Sequence, residues 1–233
     1  MTDAKKVVRL NYKAYIADLD KLYDTTLEDV AKEAGIYEEK AVYKPMSYIV
    51  GSKKLFPALD AAIAGAAVGS EVTVEIPCEE AFGAHNPKLR ETHNMNEFIK
   101  ANIYPQPGMT ISLGNRSGTI LKVGAGRVVV DFNNPLAGHD LKYVLTITEE
   151  VTDPAAKAQA IIEADFATVD GFKFDFPEGK VVVTLPDTVK FDQQWPMARF
   201  AVVSSLRDAF GVDTVEFVEV WTAAKAAEPK TSE

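Results

Sequence analysis

Residues 50–77 read VGSKKLFPALDAAIAGAAVGSEVTVEIP, and the fold turns on the change of period inside this stretch. Gly51 ends a short apolar run, 46–50 (MSYIV), which suits a strand. Pro57 is tolerated in a first helical turn, where its missing N–H costs nothing. Leu59, Ala62 and Ile63 then share one face, and Gly65 stops the helix. From Glu71 the period falls to two, and Val72, Val74 and Ile76 point to one side as in a half-buried strand.

Working outward, residues 6–17 (KVVRLNYKAYIA) are rich in β-branched and aromatic side chains and read as a strand or strand pair. TTLEDVAKEAG predicts a helix with Thr26 as N-cap, Asp29 at N3 and Gly35 at its end. Residues 84–104 are polar and irregular, with one short helix near 96–102. Three short strands follow at 109–113, 118–123 and 126–132, separated by Gly114 and by Gly124-Ala125-Gly126, as a compact β unit. Residues 142–150 alternate again and must return to the first sheet to complete it. The reading is an α+β chain built on an antiparallel sheet with a short helix.

Val151–Pro154 reads as a boundary, because a new helical pattern (AAKAQAIIEADF) begins there. A strand at 180–185, a loop, a helix at 196–210 and a strand at 214–221 complete a small C-terminal α/β module of helix-strand-loop-helix-strand order. Trp195, Phe200, Val203, Leu206, Phe217, Val218 and Trp221 exceed what so small a unit hides. A homodimer through this module is therefore expected, twofold pairing being the commonest oligomer geometry. The tail 223–233 is expected to fray.

Composition excludes several classes. The 233 residues carry a net charge of −9, which disfavours nucleic acid as a partner. No apolar run reaches the ~20 residues that cross a bilayer, so no membrane partner is expected. The N-terminal residues carry no signal-peptide core, and Cys78 is the only cysteine, which suits a reducing, cytoplasmic setting. The phosphate-loop, zinc-protease and nucleophile-elbow motifs are absent. His85, His93 and His139 are too scattered for a metal site, so neither metal nor cofactor is expected.

Leu10-Asn11-Tyr12, Leu22-Tyr23-Asp24, the quoted 50–77 stretch, EEAFG at 79–83 and NNPLAGHDLKYVLTI at 133–147 follow one another in an order that resembles the FKBP-type peptidyl-prolyl cis-trans isomerases. PCEEAFG and NNPLAG look like the archaeal long-type, SlyD-like members. The resemblance covers about 6–150. It implies a discontinuous isomerase domain, 1–87 plus 132–152, interrupted by an insert-in-flap chaperone module at 88–131 and followed by the module at 153–233.

The resemblance also implies a site. Tyr12 corresponds to an aromatic wall, Tyr23 and Asp24 to the pair bordering the pocket, Leu55 and Phe56 to the apolar pair whose backbone meets the ligand, and Leu59 to the pocket floor. Phe82 takes the place of a tyrosine whose hydroxyl would reach a substrate carbonyl, which phenylalanine lacks. Leu136, Ala137 and Tyr143 correspond to the returning loop and strand. Asp24 would either orient its loop or meet the twisted amide. The implied activity is isomerisation of X-Pro bonds in unfolded or nascent polypeptides, with chaperone activity through the insert. The alternative is a non-catalytic FKBP-shaped peptide-binding chaperone or an assembly module.

Overall fold

The even-numbered residues of the first strand hold the middle of the fold. A computed structural model describes residues 4–166 and 168–222; the tail at 223–233 lies outside the described residues. β1 (Val7–Ile16) buries Val8, Leu10, Ala14 and Ile16 on one face. β2 (Lys21–Thr25) and α1 (Glu28–Glu33) follow. Thr26 is not the cap of α1: Leu27 holds that position and no side chain caps the helix. The Thr26 hydroxyl is committed to β1, donating to Asn11 Oδ1 at 3.0 Å and accepting from Tyr12 N at 2.9 Å. Gly35 closes α1 at φ +69°, as the sequence predicts.

β3 (Met46–Ile49), α2 (Pro57–Gly65) and β4 (Glu71–Ile76) match the period change in the quoted stretch. Leu59 and Ile63 of α2 are buried, and Ile76 of β4 with them.

β5 (Arg90–Asn94) and α3 (Met95–Lys100) come next. The region expected to be irregular therefore holds a strand, supported by five cross-strand pairs rather than by apolar content. β6 (Thr110–Leu113), β7 (Arg116–Gly124) and β8 (Arg127–Asp131) complete a four-stranded sheet of order β5-β8-β7-β6. The β7–β8 turn has Ala125 at φ +49° and Gly126 at φ +71°, the two left-handed residues of a tight hairpin. Phe98, Ile111, Ile120, Val128 and Val130 form this unit's core. Ile111 and Ile120 are thus hidden, while Met109 and Leu121 remain 41% and 43% exposed.

β9 (Leu141–Glu150) returns to the first sheet, whose order is β2-β1-β9-β4, with β3 antiparallel to the opening half of β1. α4 (Pro154–Phe166), β10 (Lys173–Asp175), β11 (Lys180–Leu185), α5 (Trp195–Phe210) and β12 (Thr214–Glu219) end the described chain. β10 runs antiparallel to β11, and β12 lies parallel to β11 after a crossover through α5.

By contacts the chain divides into two units, 1–13 with 25–72 and 144–233, and 14–24 with 73–143. In the first unit the C-terminal elements share one core with β1 and β3: Val7 and Ile49 pack into the cluster of Ile161, Phe166, Phe172, Trp195 and Leu206. Of the seven apolar residues expected in excess, Trp195 and Leu206 are therefore core and Phe217 packs against it. Val203 is half-buried, and Phe200, Val218 and Trp221 stay exposed, at 70%, 37% and 66%. The chain at Val151 is pinned: Val151 is buried and its N–H donates to Val7 O at 2.9 Å. Lys157 Nζ donates to Lys5 O and Ala209 O, and Lys5 pairs with Asp208 at 2.7 Å.

Candidate active site

The ten residues chosen from the sequence fall into both units. Tyr12, Leu55, Phe56 and Leu59 belong to the first; Tyr23, Asp24, Phe82, Leu136, Ala137 and Tyr143 belong to the second.

In the first unit, Tyr12 is fixed through its backbone. Its N–H donates to Thr26 Oγ1, and its carbonyl accepts the Thr25 hydroxyl at 2.7 Å and Thr26 N at 3.2 Å. Tyr12 lines a hollow of about 240 Å³ together with Thr26, Met46 and Ala164. Met46 was passed over in the sequence because it opens a strand. Its cross-strand partner is Leu10, two residues from Tyr12, which puts both side chains on one face.

Leu55 and Phe56 leave the turn after β3. Asp60 holds that turn, its Oδ1 accepting Tyr48 Oη and Gly51 N, both at 2.7 Å. Burial pushes the Tyr48 phenol up to about 12, and its bond to Asp60 adds to the rise. Phe56 is the N-cap residue of α2 and Leu59 is buried in its first turn.

In the second unit, Tyr23 and Tyr143 meet edge to face, with ring centroids 6.3 Å apart at 88°, and their hydroxyls are 2.5 Å apart. Burial pushes the Tyr143 phenol above its ordinary value; the Tyr23 bond opposes this and the charge of Asp24 adds to it. Asp24 itself is exposed at the end of β2.

Phe82 and Leu136 ride on two turns that are bolted together. Gly83 N donates to Cys78 O at 2.7 Å, closing the turn that carries Phe82. Asn134 shapes the other turn, its Oδ1 accepting Leu136 N at 2.9 Å and its carbonyl accepting Ala137 N. Gly138 N donates to Gly83 O at 2.8 Å across the pair. Gly138 has φ +83°, and a Cβ there would come 3.2 Å from His85 Cβ, so the bolt requires glycine. Asp140 completes the arrangement, accepting Cys78 N through its side chain and Ala17 N through its carbonyl. Phe82 is 40% exposed, Leu136 half-buried and Ala137 buried.

Next to Ala137 lies a polar cluster. Asp131 Oδ2 meets His85 Nε2 at 2.9 Å and Arg90 Nε at 3.1 Å, while Oδ1 accepts Asn133 N and Nδ2. Burial alone would raise the Asp131 pKa; the Asn133, His85 and Arg90 donors outweigh it and hold the carboxyl well below the usual carboxylate range.

Comparison with known proteins places the chain in a family. The model described as FKBP-type peptidyl-prolyl cis-trans isomerase matches residues 2–102. The model described as FKBP26, IF domain, matches 94–136, and FKBP26 C-terminal matches 154–222. The short-type peptidyl-prolyl cis-trans isomerase of Methanocaldococcus jannaschii is 37% identical over 136 residues, covering 58% of this chain and 87% of that protein. The FKBP-type isomerase SlyD of Treponema pallidum is 30% identical over 134 residues, 55% of this chain and 74% of that one. The FKBP-type 16 kDa isomerase of Escherichia coli is 28% identical over 120 residues, 49% and 78% respectively. With its sheet interrupted by the β5–β8 insert and followed by a further α/β domain, the chain belongs to the FKBP-type peptidyl-prolyl cis-trans isomerases.

Proposed function

We propose that the chain isomerises X-Pro bonds in unfolded or nascent polypeptides, using aromatic and apolar walls in place of a nucleophile or cofactor. The Tyr23–Tyr143 pair carries this reading. Its rings stand edge to face with their hydroxyls bonded to each other, so the faces offered to a ligand are apolar while the polar ends are already satisfied.

An X-Pro bond is the one peptide bond with an appreciable cis population, and its barrier of about 18–20 kcal/mol is amide resonance. Twisting the bond removes conjugation and lowers the dipole of the carbonyl. Apolar walls therefore favour the twisted bond over the solvated planar one, which is differential binding of the transition state. Lowering the barrier by about 4 kcal/mol accelerates the exchange roughly a thousandfold. Asp24, exposed one residue after Tyr23, is the polar group at this wall; it orients its loop or meets the twisted amide.

The test is the cis-to-trans relaxation of a short X-Pro peptide. The wild-type chain is expected to accelerate it at micromolar concentration. Asp24→Ala is expected to lower kcat if the carboxylate meets the amide, and thermal stability if it holds the loop.

The insert adds a second function in this reading, a weak hold on unfolded chains. Ile99, Tyr104, Met109 and Leu121 remain 41–77% exposed on a unit whose own core is already filled. Replacing Tyr104, Met109 and Leu121 by serine is expected to lower catalysed refolding of a proline-limited protein several-fold relative to short-peptide turnover. An equal change in both would remove the chaperone reading.

The C-terminal domain joins two chains in the same proposal, through the exposed Met197 and Phe200 of α5 and the Phe191–Trp221 pair. A cytoplasmic setting suits the lone thiol of Cys78, and among the described residues no helix is long and apolar enough to cross a membrane.

A further inference from the structure

Beside the Tyr12 hollow lies a second one of about 220 Å³ in the same unit, and the two share Met46, Ser47 and Ala164. One wall is β3, another is Lys54 with Leu55, and the third is α4 of the C-terminal domain, through Ile161, Ala164 and Asp165. A helix outside the isomerase domain thus borders two side chains that the isomerase reading assigns to the substrate, Tyr12 and Leu55.

Two polar atoms in this second hollow are buried without a hydrogen-bond partner: Asp165 Oδ2 and Ser47 Oγ. The Asp165 side chain is only 7% exposed. Its Oδ1 receives Lys54 Nζ at 2.5 Å, so the pair is already neutral while Oδ2 keeps its lone pairs unused. An unsatisfied buried oxygen is costly, and a ligand group that bonds to it would remove that cost. A carboxylate oxygen only accepts, whereas a serine hydroxyl can donate. Together they complement a group that offers one N–H and one C=O, which is a peptide unit. Met46, Ile49, Leu55 and Ile161 supply an apolar lining for the side chain attached to it. A second cation is disfavoured, because Lys54 already neutralises the carboxylate.

We propose that this hollow is an accessory subsite for the client chain. It seats one apolar residue flanking the proline, with that residue's peptide N–H on Asp165 Oδ2 and its C=O on Ser47 Oγ. The C-terminal domain would then select substrates as well as join chains, and Asp165 and Ser47 become specificity-determining residues. The inference rests on the isomerase reading above.

The test compares a minimal blocked X-Pro substrate with an extended peptide carrying the same bond between apolar residues, both on the full chain. Asp165→Asn is expected to lower the extended-to-minimal ratio of kcat/KM by about tenfold, through KM, which is what a hydrogen bond to a charged group supplies, and Ser47→Ala to lower it several-fold, as a neutral hydrogen bond does. Ala164→Leu, which fills the shared wall, is expected to lower the ratio at least as far. Ser47→Ala removes an orphan hydroxyl, so its melting temperature should hold or rise, and a KM effect there is not unfolding. A wild-type ratio in all three variants overturns the subsite while leaving the isomerase reading intact. A wild-type chain that accelerates neither peptide overturns both, and the two failures are told apart by the minimal substrate.

Discussion

Asp60 accepts Tyr48 Oη and Gly51 N on one oxygen, and burial, with that bond adding to it, raises the Tyr48 phenol from 10.0 to about 12. A phenol whose pKa is raised in the folded state stabilises the fold fully below its unfolded value. That contribution is lost as pH climbs from 10 through 12. Its size is ~3 kcal/mol, the shift of about two units converted at 1.36 kcal/mol per unit. The stability difference between wild type and Tyr48→Phe should therefore shrink across this window, which denaturant titrations at stepped pH would measure. Tyr143 separates ring from hydroxyl. Tyr143→Phe keeps the edge-to-face ring and should leave X-Pro turnover within a few-fold, whereas Tyr143→Ala removes a wall and should cost tenfold or more, a loss of over ~1.4 kcal/mol in transition-state stabilisation. Equal effects would transfer the role to the hydroxyl. Tyr23 and Tyr143 were singled out in the sequence from ordered motifs, and the structure brings their rings together. Met46 was not, because a residue that opens a strand carries no mark of the face it presents. Asp165 and Ser47 were invisible for another reason: their placement depends on helix–strand packing between segments more than 100 residues apart.

At the scale of elements, β4 and α2 were readable from period alone, and β6 to β8 from glycine-marked turns. β5 was not, since RETHN has neither alternation nor apolar content, and its strand state comes from pairing with β8. The helix α1 was placed correctly and capped wrongly, because the best capping side chain nearby, Thr26, is drawn into β1. The insert's own sheet contains one position with no room. A Cβ on Gly118 would lie 2.7 Å from Val130 Cγ1, 2.8 Å from Phe132 Cδ1 and 3.0 Å from Asp131 O. Gly118→Ala is expected to destabilise the insert by roughly 1–3 kcal/mol, the usual cost of overpacking. Loss of amide protection in β6–β8 would report it. The neighbouring Asp131 gives a pH signature of opposite sense to Tyr48. Its carboxyl is held low, so its contribution is present above the ordinary carboxylate pKa and lost as pH falls below it. Asp131→Asn should flatten the acid limb of the stability profile.

For the whole molecule, the decisive point is where the C-terminal domain rests. The sequence marked a boundary at Val151–Pro154, and a separate family model does match 154–222. Yet Val7 and Ile49 pack into that domain's core, so truncation at 153 would uncover β1 and β3. Dimerisation is better tested on the full chain. Sedimentation equilibrium should give a dimer at tens of micromolar, and Phe200→Glu, at a 70% exposed position, should shift it toward monomer. A monomer in both would assign the exposed face to another partner. The seat of β1 also bears on how the chain comes off the ribosome. β1 lies between β2 and β9, and β9 begins only at Leu141. β1 meets β2 and β3 early, but must wait until residue 141 and beyond have been synthesised before its other neighbour, β9, exists. The hairpins β6–β7 and β7–β8 close over a few residues and need no such delay. The insert is thus expected to be structured in the nascent chain while the first sheet is still an open template, so that the module proposed to hold clients is assembled in advance of the isomerase domain that carries it.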